Sequence, residues 1–202
     1  MIKNIIFDLG GVLIDFDPYK TIRKVFREED ALQVEKALFG SGLWKNLDLG
    51  IMHFPELAAN CCKLLPACLH KPLTELLLRW WDEMPPLPGM EDFVREVKAN
   101  GYKVYLCSNT PDDVYDHFDD IPVLQILDGI LASCDFGVAK PDRKIFEALY
   151  NKFDLDPAEC FFIDDMPQNI EGAAKTGMCG FCFAEKDLDA LKSALRENGV
   201  RI

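Results

Sequence analysis

The sequence predicts an α/β fold, a single parallel sheet with a small all-helical module inserted after its first strand. Three observations carry this reading. The apolar run Ile5-Ile6-Phe7 ends in Asp8 and is followed by Gly10-Gly11, as at the carboxyl end of a buried strand where the chain turns sharply. From about Tyr19 to Glu83 little resembles a strand, and apolar residues recur at helical spacing. Beyond Pro85-Pro86-Leu87-Pro88-Gly89, helix-like and strand-like stretches alternate to the end, which means helix–strand units on one parallel sheet.

In chain order, Asp15-Phe16-Asp17-Pro18 breaks the opening strand pattern. Ile22, Val25 and Phe26 fall on one helical face, and Ala31, Leu32, Glu35, Leu38 and Phe39 mark a second helix ending at Gly40-Ser41-Gly42. Phe54 to Leu65 and Leu73 to Trp81 make two more, so residues 15–86 read as a small bundle. Trp44, Trp80 and Trp81 are expected in its core or in contact with the rest. The Pro/Gly-rich segment is a stiff connector. Met90, Phe93, Val94 and Val97 line a helix that stops at Asn100-Gly101, and Lys103 to Cys107 is a buried strand. Ile130 to Ala132 and Cys160 to Ile163 are strands, with a helix from Asp142 to Phe153 between them, its first turn holding Pro141. Asn169 to Thr176 is a helix closed by Gly177, Phe181 to Phe183 a last strand, and Leu188 to Glu197 a terminal helix.

Composition narrows the function. At 202 residues, 49% hydrophobic and 28% charged, the chain can bury one sizeable core and a small second module. A net charge of −12 argues against nucleic acid or an anionic membrane as partner. A small anionic substrate remains compatible, because a local cation can reverse the field inside a cleft. Met1-Ile2-Lys3 leads straight into the first strand without a signal-peptide pattern, and no apolar stretch reaches the roughly 18–20 residues of a membrane span. The eight cysteines are scattered and read as buried hydrophobes of a cytoplasmic protein. Cys179 and Cys182 have C-x-x-C spacing, but no second pair completes a zinc site.

Four stretches at predicted strand ends bear the chemistry. Asp8 either caps a turn or faces a ligand at the strand end, where open α/β sheets bind them. Ser108-Asn109-Thr110 is either a turn and cap sequence or a set of phosphate-binding groups. Lys140 is either a surface lysine or a fixed ammonium that neutralises a carboxylate–phosphate pair. Asp164-Asp165 ends the apolar run Phe161-Phe162-Ile163, and two adjacent acids there are costly without a cation between them. Hard oxygen ligands in such a place suit Mg²⁺.

Taken together and in this order, FDLGGVLIDFD, LCSNT, KPD and FIDDMPQNIEGA resemble the haloacid dehalogenase superfamily, and most closely its subgroup of α-D-glucose-1-phosphate phosphatases. The resemblance covers essentially the whole chain. It implies a Rossmann-like core from residues 1–14 and 87–202, with residues 15–86 as a small α-helical cap. It implies a Mg²⁺-dependent phosphatase for a small phosphorylated substrate of the sugar-phosphate kind. Asp8 would be the nucleophile, forming an aspartyl-phosphate, and Ser108 with Asn109 would hold the phosphoryl group. Lys140 would stabilise charge, and Asp8, Asp165, Asp164 and the Gly10 carbonyl would hold the metal. Asn169 would support the acidic loop.

Gly10 departs from the family pattern, because phosphatases of this kind usually carry there an aspartate that protonates the leaving oxygen. Such a group contributes about 10²–10⁴-fold in rate. Asp15 and Asp17 are the nearby substitutes, and capping or hinge roles compete for both. Two alternatives follow. A hydrolytic 2-haloacid dehalogenase needs no such acid but does need an arginine for the substrate carboxylate, with Arg23 and Arg27 as early candidates. A weakly active or non-enzymatic module would bind a phosphorylated ligand or a protein.

Overall fold

The computed structural model describes residues 1–202. Five parallel strands, β1 (Asn4–Phe7), β2 (Lys103–Ser108), β3 (Gly129–Ala132), β4 (Cys160–Asp164) and β5 (Cys179–Cys182), form one sheet in the order β3-β2-β1-β4-β5. The order reverses at β1, so its carboxyl end is the switch point where such sheets place ligands. Phe7 pairs with Ile163, and the Asp8 N–H donates to the Ile163 carbonyl at 2.9 Å. Asp8 and Asp164 therefore emerge side by side.

Strand residues alternate between two apolar layers, as the period of two requires. Ile5, Phe7, Val104, Leu106, Phe161 and Ile163 belong to one. There they meet α6 (Met90–Ala99) and α9 (Leu188–Glu197), with Phe7 edge-on to Phe93. Ile6, Cys107, Leu131 and Phe162 belong to the other, against α7 (Arg143–Phe153) and α8 (Pro167–Ala174). Both faces are covered, which is what parallel sheets need. The helix preceding β4 starts later than the sequence suggests. Asp142 is its N-cap, accepting from the Lys144 N–H at 2.9 Å, and Pro141 lies ahead of the cap rather than inside the first turn.

Between β1 and α6 the chain forms α1 (Pro18–Val25), α2 (Glu28–Glu35), α3 (Leu43–Asp48), α4 (Phe54–Cys62) and α5 (His70–Leu77). Asp17 caps α1 through the Lys20 N–H at 2.9 Å, and Pro18 occupies its first turn. Two expected core positions prove exposed. The chain turns extended at Phe26, which is buried while Val25 is not, and α2 buries Ala31 and Val34 instead of Leu32. A π-helical turn over Lys36–Gly40 then re-phases the helix and brings Ala37 and Leu38 inside. Helix α3 escaped the sequence reading because six residues are too few for periodicity to show.

The two passages that join this insert to the sheet lie side by side. The Asp15 N–H donates to the Pro85 carbonyl at 2.8 Å and the Leu87 N–H to the Leu13 carbonyl at 2.9 Å, with Ile14 bridging Pro86 antiparallel. The connection is a short hydrogen-bonded ribbon. No helix is long and apolar enough to cross a membrane.

Candidate active site

Asp8, Ser108 and Asp164 stand at the carboxyl ends of three adjacent strands. Lys140, arriving on the segment before α7, is buried between two of them: its Nζ lies 2.8 Å from Asp8 Oδ1 and 2.6 Å from Asp164 Oδ2. The Leu9 N–H also donates to Asp8 Oδ1, at 2.7 Å. Burial pushes the Asp8 carboxyl up to about 7; the Lys140 ammonium pulls it down, Asp164 pushes it up, and the Ser108 hydroxyl pulls it down. Burial by itself would lower Lys140, but Asp8 and Asp164 carry it above the ordinary ammonium value. The ammonium is thus held charged.

Lys140 is placed from both sides. The Asn109 side chain accepts from the Lys140 N–H at 2.8 Å and donates to its carbonyl at 3.0 Å. The residue expected to hold a phosphoryl group is thus committed in large part to fixing the lysine backbone. Asn169 donates to both oxygens of Asp164, at 2.9 and 3.1 Å, and the Met166 N–H adds a third bond at 2.9 Å. Asp164 is fully engaged by protein donors.

Asp165 is different, because its carboxylate has neither an ion pair nor a hydrogen bond to another side chain. Burial and the neighbouring Asp164 raise its carboxyl above the usual value. It lies against Gly11, where an added Cβ would come within 2.4 Å of Asp165 Oδ2 and where φ is +72°. The second glycine is needed both for the turn and for this approach. Asp8, Asp164 and Asp165 offer oxygens all within 4.8 Å of one another. Three carboxylates face one ammonium, and the Gly10 carbonyl beside them accepts no backbone hydrogen bond. An uncompensated cluster of hard oxygen donors fits a divalent cation such as Mg²⁺.

A cavity of about 540 Å³ opens over Asp8, between the strand ends and the insert. Its upper wall is aromatic. Trp44 stands at the hub, with ring centroids 4.9 Å from Phe39, 5.1 Å from Trp80 and 6.1 Å from Phe54. Trp80 is core and Trp81 bridges to the other side of the cleft, donating from Nε1 to Asp113 Oδ2 at 2.9 Å and stacking on His117. Both expected roles of the tryptophans are filled, and Trp44, Trp80 and Trp81 all line the cavity as well.

Neither nearby substitute for the missing acid is free. Lys186 pairs with Asp15 at 2.5 Å and holds its carboxyl below the usual range, while Asp17 caps α1. The Gly10 position is also crowded, since an added Cβ there would lie 3.2 Å from Phe16 Cβ. One acid escaped the sequence reading. Asp48, the last residue of α3, lines the cavity, and burial together with the Asp8 charge pushes it up to about 7. No motif surrounds it, so only the fold could bring it into view. No arginine lines the cavity, and Arg23 is engaged instead with Glu28 and Glu35.

A family model of haloacid dehalogenase-like hydrolases matches residues 2–177. A sesquiterpene phosphatase of Aspergillus oryzae is 27% identical over 182 residues, 88% of either chain. A D-ribitol-5-phosphate phosphatase of Bacteroides thetaiotaomicron is 27% identical over 188 residues, 88% of this chain and 89% of that one. A solved enzyme of that family, also from B. thetaiotaomicron and in complex with magnesium and inorganic phosphate, has the same fold, with a TM-score of 0.72 at 24% identity over 90% of this chain and 93% of its own. A predicted HAD-like family hydrolase from Porphyromonas gingivalis superposes with a TM-score of 0.73 at 27% identity, covering 97% and 98%.

Proposed function

The chain belongs to the haloacid dehalogenase-like hydrolase family, and from that premise we propose that it is a Mg²⁺-dependent phosphatase of small phosphomonoesters. The observation that carries this reading is the buried Asp8–Lys140–Asp164 array at the sheet's switch point, with Asp165 unpaired beside it. The relatives named for phosphatase activity on a sesquiterpene and on ribitol 5-phosphate support the reaction type.

In this reading an Asp8 carboxylate oxygen attacks phosphorus in line while the bond to the leaving oxygen breaks, giving an aspartyl-phosphate. Water then attacks the same phosphorus, and the bond to Asp8 breaks to release phosphate. Lys140 stays charged and offsets negative charge at Asp8, while the Ser108 hydroxyl and Leu9 N–H border the reacting carboxylate. Asp8, Asp165, the Gly10 carbonyl and, more remotely, the engaged Asp164 would hold the Mg²⁺. When bound, the metal supplies charge neutralisation for the phosphoryl oxygens. Residues 15–86 serve as the cap that shields the reaction from water, and the setting is cytoplasmic, where the eight free thiols stay reduced.

The test is phosphate release from a panel that includes sugar phosphates, with and without Mg²⁺, comparing wild type with Asp8→Asn. Metal-dependent release abolished by the substitution is the expected result, and silence from both proteins would sink the reading. Halide release from 2-haloacids serves as the control for the dehalogenase alternative, which the arginine-free cavity disfavours.

A further inference from the structure

We infer that the substrate's leaving group is apolar, a hydrocarbon chain or ring system rather than a polyol; the inference rests on the phosphatase reading and narrows it. Most of the cavity's polar residues stand at or near the strand ends, where the phosphoryl group would sit. On the insert's share of the wall, from Phe16 to Met84, the charged residues are Asp17, which caps α1, and Asp48. The rest of that wall is Pro18, Met84 and aromatic residues, of which Tyr19 carries a hydroxyl, with Trp44 packed among Phe16, Phe39 and Phe54. The Trp81 N–H is already committed to Asp113. A sugar's hydroxyls would lose water here and find few partners, whereas hydrocarbon gains with each methylene it buries. Aromatic faces left open to solvent around such a volume mark a binding site for apolar matter.

The experiment measures kcat/KM with Mg²⁺ for a series of n-alkyl phosphates from ethyl to octyl, beside glucose 6-phosphate, ribitol 5-phosphate and acetyl phosphate. The expected result is a rise of about 2–4-fold per methylene, octyl phosphate exceeding both sugar phosphates by at least about tenfold, and a shallower slope in Trp44→Ala. Hydrolysis that is flat along the series, or faster with the sugar phosphates, overturns the inference and leaves the phosphatase reading standing. Binding of the matching alkyl phosphonates is measured by calorimetry in parallel. Affinity that rises with chain length in a protein that hydrolyses nothing, acetyl phosphate included, sinks the phosphatase reading and keeps the apolar site.

A separate observation assigns the missing acid. We propose that Asp48 protonates the leaving oxygen in place of the aspartate absent at Gly10. Its backbone is held against the strand-end side of the cleft: its carbonyl accepts from the Ser133 hydroxyl, and Gly50 is packed so close to Cys134 that a Cβ would come within 2.8 Å of the Cys134 carbonyl. Its carboxyl lines the cavity shared with Asp8 and is engaged in no ion pair or hydrogen bond. As Asp8 bonds to phosphorus, the leaving oxygen takes the P–O electron pair and the Asp48 proton. The Asp48 carboxylate then takes a proton from the water that attacks the aspartyl-phosphate, and is restored.

Asp48→Asn is tested on dinitrophenyl, phenyl and alkyl phosphates, read as kcat/KM, which reports the first chemical step. The loss is expected to deepen as the leaving group becomes more basic, reaching about 10²-fold or more on alkyl phosphates, with Asp48→Glu recovering part of it. An equal loss across the series, or none, overturns the assignment. Alkyl phosphonate affinity checks that the variant's cavity is intact, and its loss alongside an equal drop in rate identifies a structural role.

Discussion

Phe16 stands where a side chain at Gly10 would have to go: an added Cβ would lie 3.2 Å from Phe16 Cβ and 3.3 Å from its Cγ. These atoms are at the root of the ring, so they cannot swing aside as the end of a flexible chain would. A side chain at Gly10 therefore requires Phe16 or the Gly10 turn to give by a few tenths of an ångström.

Gly10→Asp by itself should destabilise the fold by about 1–3 kcal/mol through overpacking without raising turnover. Phe16→Gly, which removes both contacting atoms, should make Gly10→Asp less costly than it is in the wild-type background. Urea midpoints and kcat/KM check both, and a faster single variant would refute the packing argument.

Lys140→Met should be among the most damaging single changes. It leaves Asp8 and Asp164 buried without their cation, and breaking a buried ion pair from one side costs about 3–5 kcal/mol. Denaturant unfolding at neutral pH measures it. A stability within 1 kcal/mol of wild type, on the order of ordinary surface changes, would deny that the array is structurally coupled.

Metal binding is expected to show in stability. At a hundredfold excess over its Kd, Mg²⁺ should add about 2.7 kcal/mol, or about 5–10 °C in Tm for a chain of this size. Asp165→Asn should remove most of that shift, because Asp165 is the unpaired carboxylate of the cluster. Differential scanning fluorimetry with and without chelator decides it.

Asp8 and Asp48 both bind protons more tightly folded than unfolded, each raised from an ordinary carboxyl value of 3.8 to about 7. Between those values the unfolded chain holds fewer protons than the folded one, so stability of the metal-free protein should fall as pH rises from about 4 to about 7. Asp48→Asn should flatten part of that fall, and Mg²⁺ should offset it near pH 7. Urea titrations across the range test the sign; a rise in stability traceable to either group would contradict it.

Asn169→Ala removes both side-chain bonds to Asp164. Each bond to a charged group is worth about 1.5–3 kcal/mol. With Lys140 less well held, kcat should drop more than KM rises. A change confined to KM would place Asn169 in substrate contact instead.

Much of this protein was legible in its residues alone. Ile5-Ile6-Phe7 and Phe161-Phe162-Ile163 read as buried strands because both sheet faces are covered, and each ends in acids that burial makes conspicuous. The sheet, the helical insert and the acids Asp8, Asp164 and Asp165 stand out in such local patterns. Ser108 and Lys140 became candidates only through the family resemblance, and the family model agrees with the class they indicate. Only the tertiary structure decided how these residues divide the work. Asn109 turns to the Lys140 backbone, Asp164 is saturated by Asn169 and Lys140, and Asp165 is left open. Asp48 lies 40 residues from Asp8 in sequence and in no recognisable motif, yet it shares a cavity with it because the ribbon at Leu13–Asp15 and Pro85–Leu87 sets the insert over the strand ends. Periodicity is a local property of a chain. Which side chain meets which across a cleft depends on contacts between distant segments, and no stretch of sequence carries those alone.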